Sequence, residues 1–218
     1  QVFVDLNHVL WTRASLVMML IMFMAGMFSG YGRALMPIAA VQVFEFTTPQ
    51  WSELNAVMGF AGAVVALFLG PIIDRRGAKS VMGITILLTG IHAFTLAFTQ
   101  EIWSNENYVL VMISVWILLL PIIMVCVLAL AMSICTSNES ATQFAIYMSV
   151  CNIGATVGSI FYGSVSGFTN WSQGYAVMGF IVFLLLLSIL MYRTRGHPET
   201  LLEPKKASTR HMREIHRH

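Results

Sequence analysis

Long apolar runs alternate with short polar segments along most of the chain. The runs cover residues 14–44, 54–73, 80–99, 107–134, 143–166 and 174–192. A helix needs about 20 mostly apolar residues to cross the hydrocarbon core of a bilayer, and each run is long enough. Backbone groups cannot stay unpaired in lipid, so runs this apolar with such short connections should be helices. The pattern predicts an all-α membrane protein, a six-transmembrane-helix bundle over residues 14–193.

The segments that flank the predicted bundle are more polar than the runs. We interpret residues 1–13 as a cytoplasmic linker or amphipathic lead-in, and residues 194–218 as a disordered basic cytoplasmic tail without an apolar period. The chain begins at Gln1, without an initiator Met or a signal-peptide pattern. We therefore expect that an N-terminal portion is missing.

The composition excludes several classes of function. Of the 218 residues, 57% are hydrophobic and 10% are charged, whereas soluble domains have roughly 25% charged residues. The net charge of +2 is too small to indicate a nucleic-acid partner. Cys126, Cys135 and Cys151 have no paired spacing, so neither a disulfide framework nor a zinc site is expected. Without a nucleophile motif, paired carboxylates in a span or a metal cluster, we predict no enzyme activity and no cofactor.

The charges are distributed unequally between the two predicted sides of the membrane. One side holds Arg13, Arg75, Arg76, Lys79, Arg193, Arg195 and the basic tail. The loops of the other side hold Glu45, Glu53, Glu101 and Glu106 and no Lys or Arg. By the positive-inside rule the basic side is cytoplasmic, so both termini are predicted to lie there. Trp51, Trp103 and Trp171 fall at the opposite loops, as an aromatic belt requires.

The connection between the second and third runs contains a recognisable motif. Residues 70–79 read Gly-Pro-Ile-Ile-Asp-Arg-Arg-Gly-Ala-Lys. This resembles the loop signature of the major facilitator superfamily, G-x-x-x-D-R-x-G-R/K-R/K, with Ala78 in place of one basic residue. Gly70 permits close approach of a neighbouring helix, Gly77 permits a tight turn, and Asp74 can face a helix N-terminus. The resemblance implies a gating latch made of Gly70, Asp74, Arg75, Arg76, Gly77 and Lys79, while a simple charged turn is the alternative.

A second motif opens the fifth run. Residues 140–145 read Ser-Ala-Thr-Gln-Phe-Ala, with Cys135 shortly before them. The segment is similar to one that opens the penultimate helix of AmpG-like permeases, which are related to peptide and acetyl-CoA transporters. The resemblance implies the C-terminal half of a transporter in a bacterial-type inner membrane, completed by an N-terminal six-helix half or a second chain. Ser140 and Gln143 also fit a capping box, so a structural role stays open beside substrate contact by Gln143.

Arg33 is the strongly charged residue that lies deep inside an apolar run. Placing it in lipid costs on the order of 3 kcal/mol on insertion scales, so it should face a cavity. The resemblance implies the same, because the first helix of each half lines the central cavity of the superfamily. We predict that Arg33 meets an anionic group of the substrate or a carboxylate of the absent half, with a snorkelling arginine or an internal ion pair as the alternative. Further candidates for substrate binding, or otherwise for packing, are Tyr31, Gln42, Trp116 and Asn152.

His92, within the third run, is the candidate for proton coupling, because an imidazole can titrate near neutral pH. The alternative is a hydrogen-bonded structural histidine, which the usual peripheral position of the third helix favours. Three pairs of glycines have the spacing of closely packed membrane helices. They are Gly26 and Gly30, Gly154 and Gly158, and Gly163 and Gly167.

Together these patterns predict a secondary active transporter that moves a small organic solute across the lipid bilayer by alternating access. From the resemblance, the cargo is an anionic sugar-peptide, a peptide or an acyl-type anion. The alternative is a non-transporting half-transporter or membrane scaffold subunit that needs a partner chain.

Overall fold

The computed structural model describes residues 10–135 and 140–192. Within these ranges the chain forms six α-helices. They are α1 (Arg13–Gln42), α2 (Thr48–Arg76), α3 (Ala78–Phe98), α4 (Glu106–Met132), α5 (Ser140–Val165) and α6 (Trp171–Met191). Each is long and apolar enough to cross a membrane. The predicted all-α bundle with six spans is therefore confirmed, whereas the tail over residues 194–218 and the lead-in before residue 10 lie outside the described residues.

Side-chain caps determine where several helices begin. Thr47 forms a capping box with Gln50 at the start of α2, and Asn170 forms one with Gln173 at the start of α6. The polar residues after Thr47 therefore belong to the helix, so α2 begins at Thr48 rather than at residue 54. An apolar run marks only the part of a helix inside the hydrocarbon and misses the capped first turns.

The helices pack in three extensive pairs, α1 with α5, α3 with α6, and α2 with α4. Contacts of α1 with α6 and of α3 with α4 join the pairs into one bundle. The apolar window of α1 is 56% buried, but those of α2 and α5 are only 11% and 22% buried. Thus α1 is the most enclosed helix, while α2 and α5 stand at opposite edges and each leaves an open face.

Backbone contact holds α1 against α5. A Cβ atom added at Gly30 would lie 1.9 Å from the carbonyl oxygen of Ala155, and one added at Gly158 would lie 2.1 Å from that of Met27. Gly26 and Gly154 are equally tight, with 2.0 and 2.2 Å to backbone oxygens of the other helix. The first two glycine pairs therefore face each other across one interface, which confirms their predicted packing role.

The third glycine pair does not pack. An added Cβ at Gly163 or Gly167 would meet nothing within 4 Å. Gly163 lies on the open side of α5, and Gly167 comes after the last helical residue, Val165. Among the described residues no neighbouring helix packs against this pair, so its packing role stays a prediction.

The charged residues divide the bundle into two ends. The basic end holds Arg13, Arg75, Arg76 and Lys79, where α1 and α3 begin and α2 ends. The acidic end holds Glu45, Glu53, Glu101 and Glu106, at the opposite ends of these helices. All eight side chains are at least partly exposed.

Candidate functional site

The open face of α5 carries a stripe of small and polar side chains. The polar stripe consists of Thr142, Ala145, Ser149, Asn152, Thr156, Ser159 and Gly163, all exposed in this chain. Because they follow one another at intervals of three and four, they lie on one side of the helix. Polar groups inside a membrane face a cavity or another helix rather than lipid. The stripe is therefore a candidate surface for contact with a cavity or with another helix.

Most hydroxyl groups of the polar stripe bond back to their own helix. Ser149 donates to the carbonyl oxygen of Ala145 at 2.9 Å, and Thr156 donates to that of Asn152 at 3.1 Å. Among the described residues, the side-chain amide of Asn152 has no hydrogen-bond partner. The side chain of Asn152 thus has donors and acceptors to offer.

Arg33 lies on α1 beside this stripe and is exposed. Its Nη2 donates to the hydroxyl oxygen of Ser29 at 2.9 Å, and its Nε donates to the Ser29 carbonyl oxygen at 3.3 Å. No ion pair with Arg33 occurs within residues 10–135 and 140–192, so the predicted internal ion pair is not formed there. The guanidinium retains donors for a further acceptor.

The packing of α1 against α5 determines where along α5 the charge of Arg33 lies. Gly30, three residues before Arg33, touches the backbone of Ala155. Helical side chains lean towards the N-terminus, and the guanidinium reaches back to Ser29. The charge therefore lies near the level of Asn152 and Thr156, and it is close enough to Cys151 to interact with it electrostatically. Arg33 and the polar stripe thus lie on two helices that pack directly against each other.

Tyr31 and Trp116, by contrast, lie inside the bundle. Tyr31 is fully buried, and its hydroxyl donates to the carbonyl oxygen of Gly174 at 3.1 Å. Trp116 is only 2% exposed and fits against Gly32, where an added Cβ would come within 2.3 Å of the indole ring. The structure does not bring these two side chains together with Arg33, and their contacts match the packing alternative.

Gln42 lies on a separate surface near the acidic end. It lines a pocket of about 230 Å³ together with Ser166 and Asn170, between α1 and the ends of α5 and α6. Nine helical residues separate it from Arg33, which corresponds to about 14 Å along the axis. The structure therefore does not bring Gln42 together with Arg33.

His92 is buried on α3, with its ring stacked on that of Trp116 at a centroid distance of 6.4 Å. Its Nε2 is buried and has no hydrogen-bond partner among the described residues. The hydrogen-bonded structural role is thus not fulfilled at this nitrogen. Unpaired buried nitrogens are rare because they lose hydration without compensation.

Comparison with known proteins identifies the family of this chain. A family model described as Major Facilitator Superfamily matches residues 11–217. The chain belongs to this superfamily. Over 159 residues it is 26% identical to the proton-coupled antiporter flippase LtaA of Staphylococcus aureus strain MSSA476, which covers 70% of the chain and 38% of that protein. LtaA of strain USA300 is 25% identical over the same length. The chain thus spans well under half of these relatives, and no solved structure matches it. The AmpG-like branch stays a prediction.

The superfamily motif at the basic end forms a one-residue turn between α2 and α3. Gly77 has a φ of 81°, a left-handed conformation that favours glycine. The ammonium group of Lys79 donates to the carbonyl oxygen of Tyr192 at the end of α6, where a positive charge is favoured. Lys79 therefore ties the turn to its own bundle.

The other motif residues of this superfamily member point away from the bundle. Asp74, Arg75 and Arg76 are exposed, and no side chain of the described residues caps the start of α3 by a hydrogen bond. An added Cβ at Gly70 would meet nothing within 4 Å. The predicted close helix approach at Gly70 is therefore not made by the described part of the chain. This surface is free for an external contact.

Sequence reasoning missed a buried polar cluster at the basic end of α1 and α5. The hydroxyls of Ser15 and Tyr147 lie 2.9 Å apart, and the side-chain nitrogen of Gln143 donates to Tyr147 at 2.7 Å. All three residues are fully buried. The signal was available, because Gln143 and Tyr147 are four residues apart and share one face. Gln143 thus makes an interior bond, while Ser140, the predicted cap, is the first helical residue of α5 and follows residues 136–139, which are not described.

Proposed function

We propose that this chain is one half of a secondary active transporter that moves a small organic anion past Arg33 and the polar stripe of α5. Membership of the superfamily supports a transporter. The single observation that carries the proposal is the exposed guanidinium of Arg33, which lies in a span, has no ion-pair partner in the described chain and belongs to the helix that packs against α5. A cation at this depth is costly unless a cavity and an anionic group accompany it.

The rest of the transporter covers the open faces in this proposal. The stripe residues are small, so another bundle can approach α5 closely and still leave a polar path. The edge position of α2 and α5 and the short coverage of the relatives support a partner half, provided by the same polypeptide or by a second chain. From the Ser-Ala-Thr-Gln-Phe-Ala segment we assign the chain to the C-terminal half of an AmpG-like permease. Rocking of the two halves would expose the Arg33 level to each side in turn.

We further propose that the basic end faces the cytoplasm of a bacterial-type inner membrane. The four cations of this end and the absence of Lys and Arg from the acidic loops support that orientation through the positive-inside rule. It places the first and last described residues, and hence both termini, in the cytoplasm. The bacterial origin of the relatives supports the type of membrane.

The cargo that this site would select is an organic anion. A guanidinium binds carboxylate and phosphate groups through paired hydrogen bonds, and the amide of Asn152 adds a neutral donor and acceptor. A sugar-peptide, a peptide carboxylate and an acyl-type anion all satisfy this chemistry.

Proton coupling is the energy source that we propose. The relatives are named proton-coupled antiporters. No Asp or Glu lies near the middle of a described helix, so His92, with its unpaired Nε2, is the candidate carrier in this half. His92→Gln should abolish the response of uptake to an imposed proton gradient without lowering exchange of cargo at equal pH. A gradient response equal to that of the unmodified protein would remove His92 from the mechanism.

The test is uptake by the full-length protein in proteoliposomes, with the three classes of anion as cargo. Arg33→Ala should abolish uptake, Arg33→Lys should retain part of it, and Arg13→Ala, which removes the same charge at the basic end, should leave it unchanged. Uptake by Arg33→Ala equal to that of Arg13→Ala would refute the site. If the unmodified protein moves none of the anions, the proposal fails in favour of a scaffold subunit.

A further inference from the structure

A long apolar groove runs along the outside of the bundle between α3 and α6. The α3–α6 groove has a volume of about 510 Å³. Its lining is apolar, in contrast to the polar stripe. Residues of both helices line it, including Ile86, Gly90, Phe94, Phe98, Val182 and Phe183. It shares no lining residue with the Arg33 surface or with the pocket of Gln42.

Glycines make the floor of this groove. An added Cβ at Gly90 would lie 3.5 Å from Cγ1 of Val182, and one at Gly179 would lie 3.0 Å from the ring of Phe94. At these two positions the glycine makes room for a side chain of the other helix, Val182 of α6 and Phe94 of α3. Larger side chains rise on both sides, since Ile91 is 57% exposed and Phe183 is 49% exposed. The result is a trough open towards the lipid.

The groove offers no free hydrogen-bond donor to an occupant. Its two polar side chains are Thr95 and Thr99, whose hydroxyls donate to the carbonyl oxygens of Ile91 and Thr95 at 2.8 and 2.7 Å. A sugar, a peptide or a hydrated ion would lose its partners there without replacement. The chemistry therefore selects a hydrocarbon chain.

The length and position of the groove match one lipid leaflet. From Ile86 to Phe98 it follows α3 for about 18 Å, and one leaflet contributes about 15 Å of the hydrocarbon core. It ends where α3 ends, at the acidic end of the bundle. An acyl chain entering beside Phe98 would reach the groove floor at Gly90 within its own leaflet.

From these observations we propose that the α3–α6 groove is a binding site for one acyl chain of a phospholipid from the leaflet at the acidic end. The occupant is a lipid of the surrounding bilayer and not the transported anion. The site does not depend on the proposed function, because a scaffold subunit with the same bundle would hold the same lipid. Tight packing in the groove distinguishes the bound acyl chain from the acyl chains of lipids that only touch the bundle.

Photo-crosslinking of the full-length protein tests this site. The protein is reconstituted in vesicles of phosphatidylethanolamine and phosphatidylglycerol that contain a trace of phosphatidylcholine with a diazirine in one acyl chain. Adducts mapped by mass spectrometry should concentrate on Ile91 and Phe183. Leu190 and Ile84 are the internal controls, because they are 65% and 54% exposed on the same two helices but do not line the groove.

Two glycine variants of α3 make a matched pair for the same experiment. Gly90→Leu fills the groove and should abolish the adducts at Ile91 and Phe183, while Gly83→Leu adds the same side chain where nothing lies within 4 Å and should leave them unchanged. If Gly90→Leu does not insert, Gly90→Ala should still lower these adducts relative to those at Ile84. Equal labelling of groove and control residues, or labelling that Gly90→Leu does not alter, would overturn the proposal.

Discussion

The open face of α5 and the exposed face of α3 and α6 are both solvent-accessible in this chain, but their chemistry is opposite. The first carries hydroxyls, an amide and small side chains next to Arg33. The second carries Leu, Ile and Phe, with exposed fractions from 36% to 82%. Lipid covers the second without loss, whereas the charge of Arg33 and the unpaired amide of Asn152 beside the first would be costly in lipid. In a membrane protein the chemistry of an exposed face therefore indicates what covers it, and exposure alone does not.

The largest effect is expected where the polar stripe meets the α1–α5 interface. Gly158→Leu forces a side chain into the backbone of Met27 and should prevent a stable bundle, since overpacking costs about 1–3 kcal/mol even where side chains can move. Gly163→Leu places the same side chain on the open side of the same helix and should fold normally. Thermal unfolding in detergent measures both. Equal melting temperatures for the two variants would contradict the described interface.

A polar side chain should be tolerated on one face and costly on the other. Leu88→Asn puts an amide among exposed apolar residues of α3 and should destabilise the protein in lipid by about 2 kcal/mol, the cost of an amide without a partner. Thr156→Asn on the polar stripe should change stability little. Unfolding of both variants in bilayer discs provides the comparison, and a reversed order of stability would mean that the faces are wrongly assigned.

The smallest of these effects concerns transport rather than folding. Asn152→Leu should leave insertion and melting temperature unchanged but lower uptake of the organic anion about tenfold, the equivalent of one lost hydrogen bond of about 1.4 kcal/mol. Ile153→Leu, at the exposed neighbouring position, serves as its control. If Asn152→Leu transports as well as Ile153→Leu, the amide does not contact the cargo.

Hydropathy predicted the number of helices and their approximate ends because the length of a span is fixed by the bilayer. It did not predict how each helix is rotated, because lipid and protein interior are equally apolar. Tyr31 and Trp116 were selected as polar or aromatic groups in a span, yet both point inwards. Only the tertiary structure shows that Gly32 makes room for the indole ring.

The exposed position of Arg33 was predictable from the sequence, because a charged side chain is tolerated in few environments inside a membrane. The polar stripe was also readable from the sequence, since its small residues recur every three or four positions from Thr142 to Gly163. The α3–α6 groove could not be predicted from the sequence, because it depends on glycines of two helices that are far apart in sequence. Packing between distant segments is the information that periodicity lacks.

The most direct test of the account asks whether water reaches the polar stripe. In the full-length protein with its native cysteines replaced, Asn152→Cys and Thr156→Cys should react with a water-soluble maleimide, and an anionic cargo should slow the reaction. Leu88→Cys and Phe183→Cys, which are equally accessible in the isolated bundle, should stay unlabelled in the membrane. Labelling of the α3 and α6 cysteines with none on α5 would contradict the assignment of α5 to the transport path.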